Sequence, residues 1–166
     1  MVDRALALKA KRIEIAHVQY YGWALENRDR LLPTAALLTP NLPEAEVLVG
    51  FPVRAEADMK CAAEKLAALG ARAVLMKGGH LEGDRVVDLL FHDGSVDRFE
   101  DARIASRNTH GTGCTLASAI AAGLAQKMGL RDAVARARAY VRDAIASAPG
   151  YGRGHGPLNH AVTARA

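Results

Sequence analysis

Ala73-Val74-Leu75-Met76 is a run of four apolar residues that empties into Lys77-Gly78-Gly79-His80. A run this short, closed by two glycines, reads as a buried strand ending in a loop. Upstream, Glu56 to Leu69 places Met59, Ala62, Leu66 and Leu69 on one face and stops at Gly70, the pattern of an amphipathic helix with a glycine end. Before it, Ala35-Ala36-Leu37-Leu38-Thr39 is a second apolar run, feeding Pro40-Asn41, and Pro43 starts a helix over Glu44 to Val49. Downstream, Val86 to Phe91 and Val96 to Phe99 flank Asp93-Gly94, a hairpin signal. Strands alternating with helices predict an α/β fold, with a largely parallel sheet, flanking helices and one antiparallel hairpin.

The last third continues the pattern. Ile104 to His110 leads into Gly111-Thr112-Gly113-Cys114. A helix is expected from about Thr115 to Met128, with Leu116, Ile120 and Leu124 inward and Gly129 closing it. Another follows over Arg131 to Ala148, with Val134, Ala137, Val141 and Ile145 as its stripe. Gly150 to Asn159 holds four glycines and reads as a loop or tail. At the other end, Asp3 to Lys11 reads as a basic helix, Ile13 to Val18 as a strand, Tyr20-Tyr21-Gly22-Trp23 as packing aromatics and Leu25 to Leu32 as a polar helix.

Half of the 166 residues are hydrophobic and 24% are charged, which suits one globular domain. The net charge of +4 comes without a dense Lys/Arg block, so no nucleic-acid footprint is indicated, while a modest positive field suits a phosphate-bearing substrate. The longest low-polarity run, Thr115 to Ala125, is too short to span a bilayer, and the N-terminus lacks the apolar core of a signal peptide. A cytoplasmic protein with no membrane partner is expected. Cys61 and Cys114 lack metal spacing, and His17, His92 and His160 have no partner at ligand distance in the sequence.

Three loops can carry chemistry. Asn108-Thr109-His110-Gly111-Thr112-Gly113-Cys114 opens a long helix, whose first amides are unpaired and carry partial positive charge. With two glycines for close approach, that is an anion site for a phosphate or for charge growing during phosphoryl transfer. A thiol at Cys114 is expected to ionise more readily there and to accept a hydroxyl proton. The alternative is a glycine-rich helix start with a buried, inert Cys114, and the loop alone leaves both open. In Thr39-Pro40-Asn41-Leu42-Pro43-Glu44, the amide and carboxylate can hold the water shell of Mg²⁺, so Glu44 would serve the metal indirectly. Read alone, Asn41 as a cap and Glu44 as a first-turn acid is the better account. Lys77 can touch a phosphate as a point charge and Gly78 and Gly79 can admit it, although alone the segment is a plain turn. Together the three loops would meet at one edge of the sheet.

Thr39 to Glu46 (TPNLPEAE), Lys77 to His80 (KGGH), Asn108 to Thr115 (NTHGTGCT) and Gly154 to His160 (GHGPLNH) resemble, in order and spacing, the motifs of hydroxymethylpyrimidine (phosphate) kinases of thiamine biosynthesis, which have a ribokinase-like fold. The resemblance covers roughly residues 31–160, with 1–30 unmatched and 161–166 a tail. It implies transfer of the ATP γ-phosphoryl to a hydroxymethylpyrimidine and then to its monophosphate, with ATP and Mg²⁺ as cofactors. It also implies that Gly111, Thr112 and Gly113 form the anion hole beside Cys114 as base, that Lys77, Gly78, Gly79 and Thr109 attend the nucleotide phosphates, and that Asn41 and Glu44 join the Mg²⁺-phosphate network. Most pyridoxal kinases, a neighbouring branch and an alternative reading, carry Asp where Cys114 stands. The family's Gly-Ser-Asp-rich opening, which helps bind the pyrimidine, is not matched. That makes a non-catalytic, nucleotide-binding remnant a further alternative, and an uncovered sheet edge predicts a homo-oligomer.

Overall fold

A computed structural model describes residues 29–30 and 32–163. The helix expected over 3–11, the strand over 13–18 and the aromatic group over 20–23 lie outside the described residues. The described chain forms two compact units. One holds the residues up to Leu81 together with Val87–Arg98, and the other holds Glu82–Val86 and the chain from Phe99 onward.

In the first unit, α1 (Leu42–Val49) and α2 (Glu56–Ala68) pack on β1 (Ala73–Lys77). The i, i+3, i+4 spacing of α2 turns Met59, Ala62, Ala63 and Leu66 inward. They meet Leu42, Ala45 and Leu48 of α1, Val74 and Met76 of β1, and Leu38 in one buried cluster. Gly70 ends α2 in the left-handed region at φ 106°, where a side chain is disfavoured. Its N–H donates to the Ala67 carbonyl and that of Ala71 to the Leu66 carbonyl, which answers the last carbonyls of the helix.

The sheet is mixed. β2 (Arg85–His92) pairs antiparallel with β1, Ala73 opposite His92 and Lys77 opposite Asp88, and β3 (Ser95–Ala102) lies beyond β2. The parallel neighbour that the run at 35–39 predicts is present as two bridges, Leu38 to Val74 and Asn41 to Lys77. Pro40, without an N–H, sits between those bridges, and a continuous ladder does not form there. Both faces of β1 and β2 are buried: Leu75 and Leu90 are as inaccessible as Val74 and Met76. The hairpin turn is Asp93-Gly94, with φ 49° and 74°, the left-handed pair that a two-residue loop requires.

In the second unit, α3 (Thr112–Ala125) packs along α4 (Leu130–Ala146). A Cβ on Gly123 would lie 3.0 Å from the Ala133 Cβ, so the helices approach as closely as a glycine permits. α3 starts three residues earlier than the apolar spacing suggests. It is ended by Lys127 at φ 65°, with Met128 N–H on the Gly123 carbonyl and Lys127 N–H on the Leu124 carbonyl, whereas Gly129 caps the start of α4. In α4 the buried face includes Arg138, which donates to Asp101 of β3 at 2.9 Å and lies 5.3 Å over the Phe99 ring. Leu124 and Ile145 are only half-buried.

His92 sits between two carboxylates beside the hairpin turn. Its Nε2 donates to Asp97 at 2.8 Å and its Nδ1 lies 3.5 Å from Asp93. The Asp97 hydrogen bond raises its pKa above the ordinary 6.5, against partial desolvation, with Asp93 adding to the rise. A raised folded-state value makes the stabilisation complete below about 6.5 and removes it as pH climbs through the folded value. His92→Gln should therefore lower the urea-unfolding free energy at pH 5.5, by about 0.5–1 kcal/mol for a partly exposed pair, and leave it unchanged at pH 9. Equal loss at both pH values would contradict this.

Candidate functional site

The structure places the Gly111 loop in the second unit. Gly111 takes φ 88° and is the N-cap of α3, which has no side-chain cap. The Gly111 carbonyl accepts from Thr115 N–H at 2.9 Å and from Thr115 Oγ1 at 2.8 Å. Thr112 N–H makes only a long bond of 3.4 Å to the Thr109 carbonyl. Among the described residues, nothing accepts from the N–H groups of Gly113 and Cys114. A helix start with open amides is what an anion needs. Cys114 is exposed, not buried as the alternative reading of the loop had it. Its side chain lines a cleft of about 690 Å³ between α3 and α4, with Ser118, Ala119, Ala137 and Tyr140 among the walls. Thr109 is exposed at the approach to the loop.

The C-terminal glycine segment is not a loose tail. His110 N–H donates to the Gly156 carbonyl at 3.3 Å, and His110 bridges Pro157 in parallel. Gly156 lies so close to the Asn108 side chain that a Cβ would overlap it. Leu158 is buried, and Asn159 N–H donates to the Ala144 carbonyl at the end of α4. The segment therefore braces the loop. Sequence reading gave it no role because its contacts are long-range and have no period.

The other two loops lie in the first unit. Asn41 Oδ1 accepts from Glu44 N–H at 2.9 Å, and Glu44 Oε2 accepts from Asn41 N–H at 2.8 Å. This reciprocal pair is a capping box that starts α1. The cap reading of Asn41 and Glu44 is what the geometry shows, with Glu44 itself buried. Lys77 is half-buried at the end of β1 and faces Asp88 across the strand pair, on the same side of the sheet. Gly78 opens a single 3₁₀ turn, Gly78–His80, and its N–H donates to Asp88 Oδ1 at 2.9 Å. A Cβ on Gly78 would overlap the Val87 carbonyl oxygen, so this glycine is needed for packing. Gly79 has open space around it. Asp88 is the residue that sequence reading missed. It is a buried carboxylate within a strand, and its only local sign is a charge at a position flanked by apolar residues. Among the described residues no group of three or more His, Cys, Asp or Glu side chains could hold a metal, and no helix is long and apolar enough to cross a membrane.

The family model described as phosphomethylpyrimidine kinase matches residues 23–159. The thiamine biosynthesis bifunctional protein ThiED of Geobacter sulfurreducens is 54% identical over 137 residues, 82% of this chain and 28% of that protein. The hydroxymethylpyrimidine/phosphomethylpyrimidine kinase of Rhizobium meliloti is 47% identical over 135 residues, 80% of this chain and 51% of that one. This chain thus spans about half the length of such kinases. Among solved structures, an ADP complex of Bacillus subtilis pyridoxal kinase superposes with a TM-score of 0.81 at 34% identity, covering 86% of this chain and 56% of the other.

The two glycines of the Lys77 loop should separate cleanly on substitution. Gly78→Ala should cost about 2–3 kcal/mol in urea unfolding, the scale of an overpacked core, because backbone rather than a movable side chain is in the way. Gly79→Ala should change stability by less than about 0.5 kcal/mol. Equal effects would mean that the 3₁₀ turn does not sit against β2 as described.

Proposed function

Because the chain belongs to the phosphomethylpyrimidine kinase family, with a ribokinase-like α/β fold, we propose that it carries the nucleotide-binding and phosphoryl-transfer part of a hydroxymethylpyrimidine/phosphomethylpyrimidine kinase acting in thiamine biosynthesis in the cytoplasm. The observation that carries the reading is the start of α3, where open amides stand beside an exposed Cys114. The γ-phosphorus of ATP breaks its bond to the β-phosphate oxygen and forms one to the hydroxymethyl oxygen of the pyrimidine, and ADP leaves. The Cys114 thiolate takes the hydroxyl proton, and the amides of Thr112, Gly113 and Cys114 meet the charge on the transferring group. In this reading Lys77 is the point charge for the nucleotide phosphates, and Gly79 and Thr109 are assigned to them as well. Gly78 acts by keeping the Lys77 turn against β2.

A single buried carboxylate suits Mg²⁺, which keeps most of its waters and is brought by phosphates. Glu44 commits Oε2 to the capping box, so its second oxygen is the one assigned to that water shell. When bound, Mg²⁺ neutralises charge on the β- and γ-phosphates. Self-association belongs to the same proposal: among the described residues, the sheet continues beyond β1 only through the bridges at Leu38 and Asn41. A single-chain mass by light scattering at micromolar concentration contradicts that part.

Titration calorimetry with Mg-ATP, run beside a coupled assay of ADP release with hydroxymethylpyrimidine, tests the reading. Binding with turnover is the expected result. Cys114→Ala should then lower kcat at least a hundredfold while Mg-ATP affinity stays within about threefold, since a general base contributes on that scale. Unchanged kcat removes Cys114 from the proton transfer. Pyridoxal taken in place of the pyrimidine moves the assignment to the branch that the Bacillus subtilis structure represents. Binding without turnover supports a nucleotide-binding remnant, and the absence of binding refutes the anion site.

A further inference from the structure

Three hydrogen bonds run in series into the Gly111 loop, all within the second unit. Tyr140 of α4 donates its hydroxyl to the His160 carbonyl at 3.0 Å. His160 Nε2 lies 2.9 Å from Thr115 Oγ1. Thr115 Oγ1 lies 2.8 Å from the Gly111 carbonyl. The direction of each bond follows from chemistry. A carbonyl can only accept, so the single hydroxyl proton of Thr115 goes to Gly111. The Thr115 oxygen is then an acceptor, and His160 Nε2 must carry the proton of the middle bond. His160 therefore holds the tautomer with Nε2–H, or both ring protons, and either form donates.

This order has a consequence for the anion site. The Gly111 carbonyl, at the N-cap of α3, stands beside the open amides and could repel an anion. Two donors from Thr115, its N–H and its hydroxyl, hold that carbonyl along the helix axis, away from the side to which the first-turn N–H groups point. Accepting from His160 polarises the Thr115 hydroxyl and strengthens its donation to the Gly111 carbonyl, so without His160 that second donor weakens. Thr115 is buried, so few other partners compete for it. The His160 side chain is exposed apart from this contact, so its donation operates in competition with water.

We propose that His160 is a positioning residue for the phosphate-binding loop: through Thr115 it fixes the Gly111 carbonyl and so keeps the amides of Thr112, Gly113 and Cys114 aimed at the anion. The proposal rests on the nucleotide reading above. It assigns a task to the C-terminal segment, which carries His160 from the bracing contacts at Gly156 and Leu158 to the start of α3.

The test is calorimetric affinity for Mg-ADP in the whole chain, with the melting temperature recorded for each variant. His160→Phe keeps the ring and removes the donor. His160→Gln restores an N–H at nearly the same place. Thr115→Val keeps the shape and removes the hydroxyl. His160→Phe and Thr115→Val should each weaken Mg-ADP binding three- to tenfold, the range for one lost hydrogen bond. The double variant should be no weaker than Thr115→Val alone, because both act through one carbonyl. His160→Gln should bind within twofold of the parent. The proposal falls if His160→Phe binds like the parent, if His160→Gln binds as poorly as His160→Phe, or if the two losses multiply. Equal losses of affinity and of melting temperature in the Phe and Gln variants would mark a role in folding only and overturn it too. A parent that binds no Mg-ADP overturns the nucleotide reading and this proposal together. A parent that binds, with an unaffected Phe variant, overturns only this one.

Discussion

A helix that begins on a glycine in the left-handed region has no side chain with which to answer its own first amides, and α3 begins that way. Everything around Gly111 follows from that constraint. The carbonyl of Gly111 is drawn into the helix by Thr115, while among the described residues nothing accepts from the amides of Gly113 and Cys114. Contrast α1, where Asn41 and Glu44 satisfy each other's backbone and the helix start is closed. α2 and α4 also begin without a side-chain cap. What sets α3 apart is therefore the combination of open amides, an exposed thiol in the first turn and a bracing segment from the far end of the chain.

The first unit solves a different problem. At the end of β1 the half-buried Lys77 is followed by the buried backbone of Gly78. Asp88 receives the Gly78 N–H, and the lack of a side chain at Gly78 lets the turn sit on the Val87 carbonyl. A buried carboxylate is costly unless it is hydrogen-bonded or paired. Here it lies opposite Lys77 in the strand register and accepts a backbone donor, so the charge is placed where it is compensated. In the second unit Arg138 follows the same rule: it is buried against Phe99 and bonded to Asp101.

Most helices and strands were legible because their signals are local. The Asp93-Gly94 turn, the Gly70 stop and the apolar faces of α2 and α4 are set by residues within a few positions of one another. Elements failed to be legible where a distant contact decides. Lys127 terminates α3 in a conformation that favours glycine, so Gly129 was the expected stop and proved to be the next N-cap. The parallel neighbour of β1 is reduced to two bridges. Asp88 and Arg138 are charges on buried faces, and a hydrophobic period assigns charges to solvent. In the candidate site, the glycine loop and the Asn41–Glu44 cap could be read from spacing. The brace from Gly156 to His160 could not, since nothing local ties it to Asn108, His110 or Thr115.

The proposed kinase chemistry depends on whether the start of α3 receives phosphate. Amide ¹H–¹⁵N spectra of the whole chain, titrated with Mg-ADP, address this directly. The account predicts that the largest shifts fall on the amides of Thr112, Gly113 and Cys114. Saturation by Mg-ADP with those three signals unmoved, or no shift at millimolar nucleotide, would contradict it.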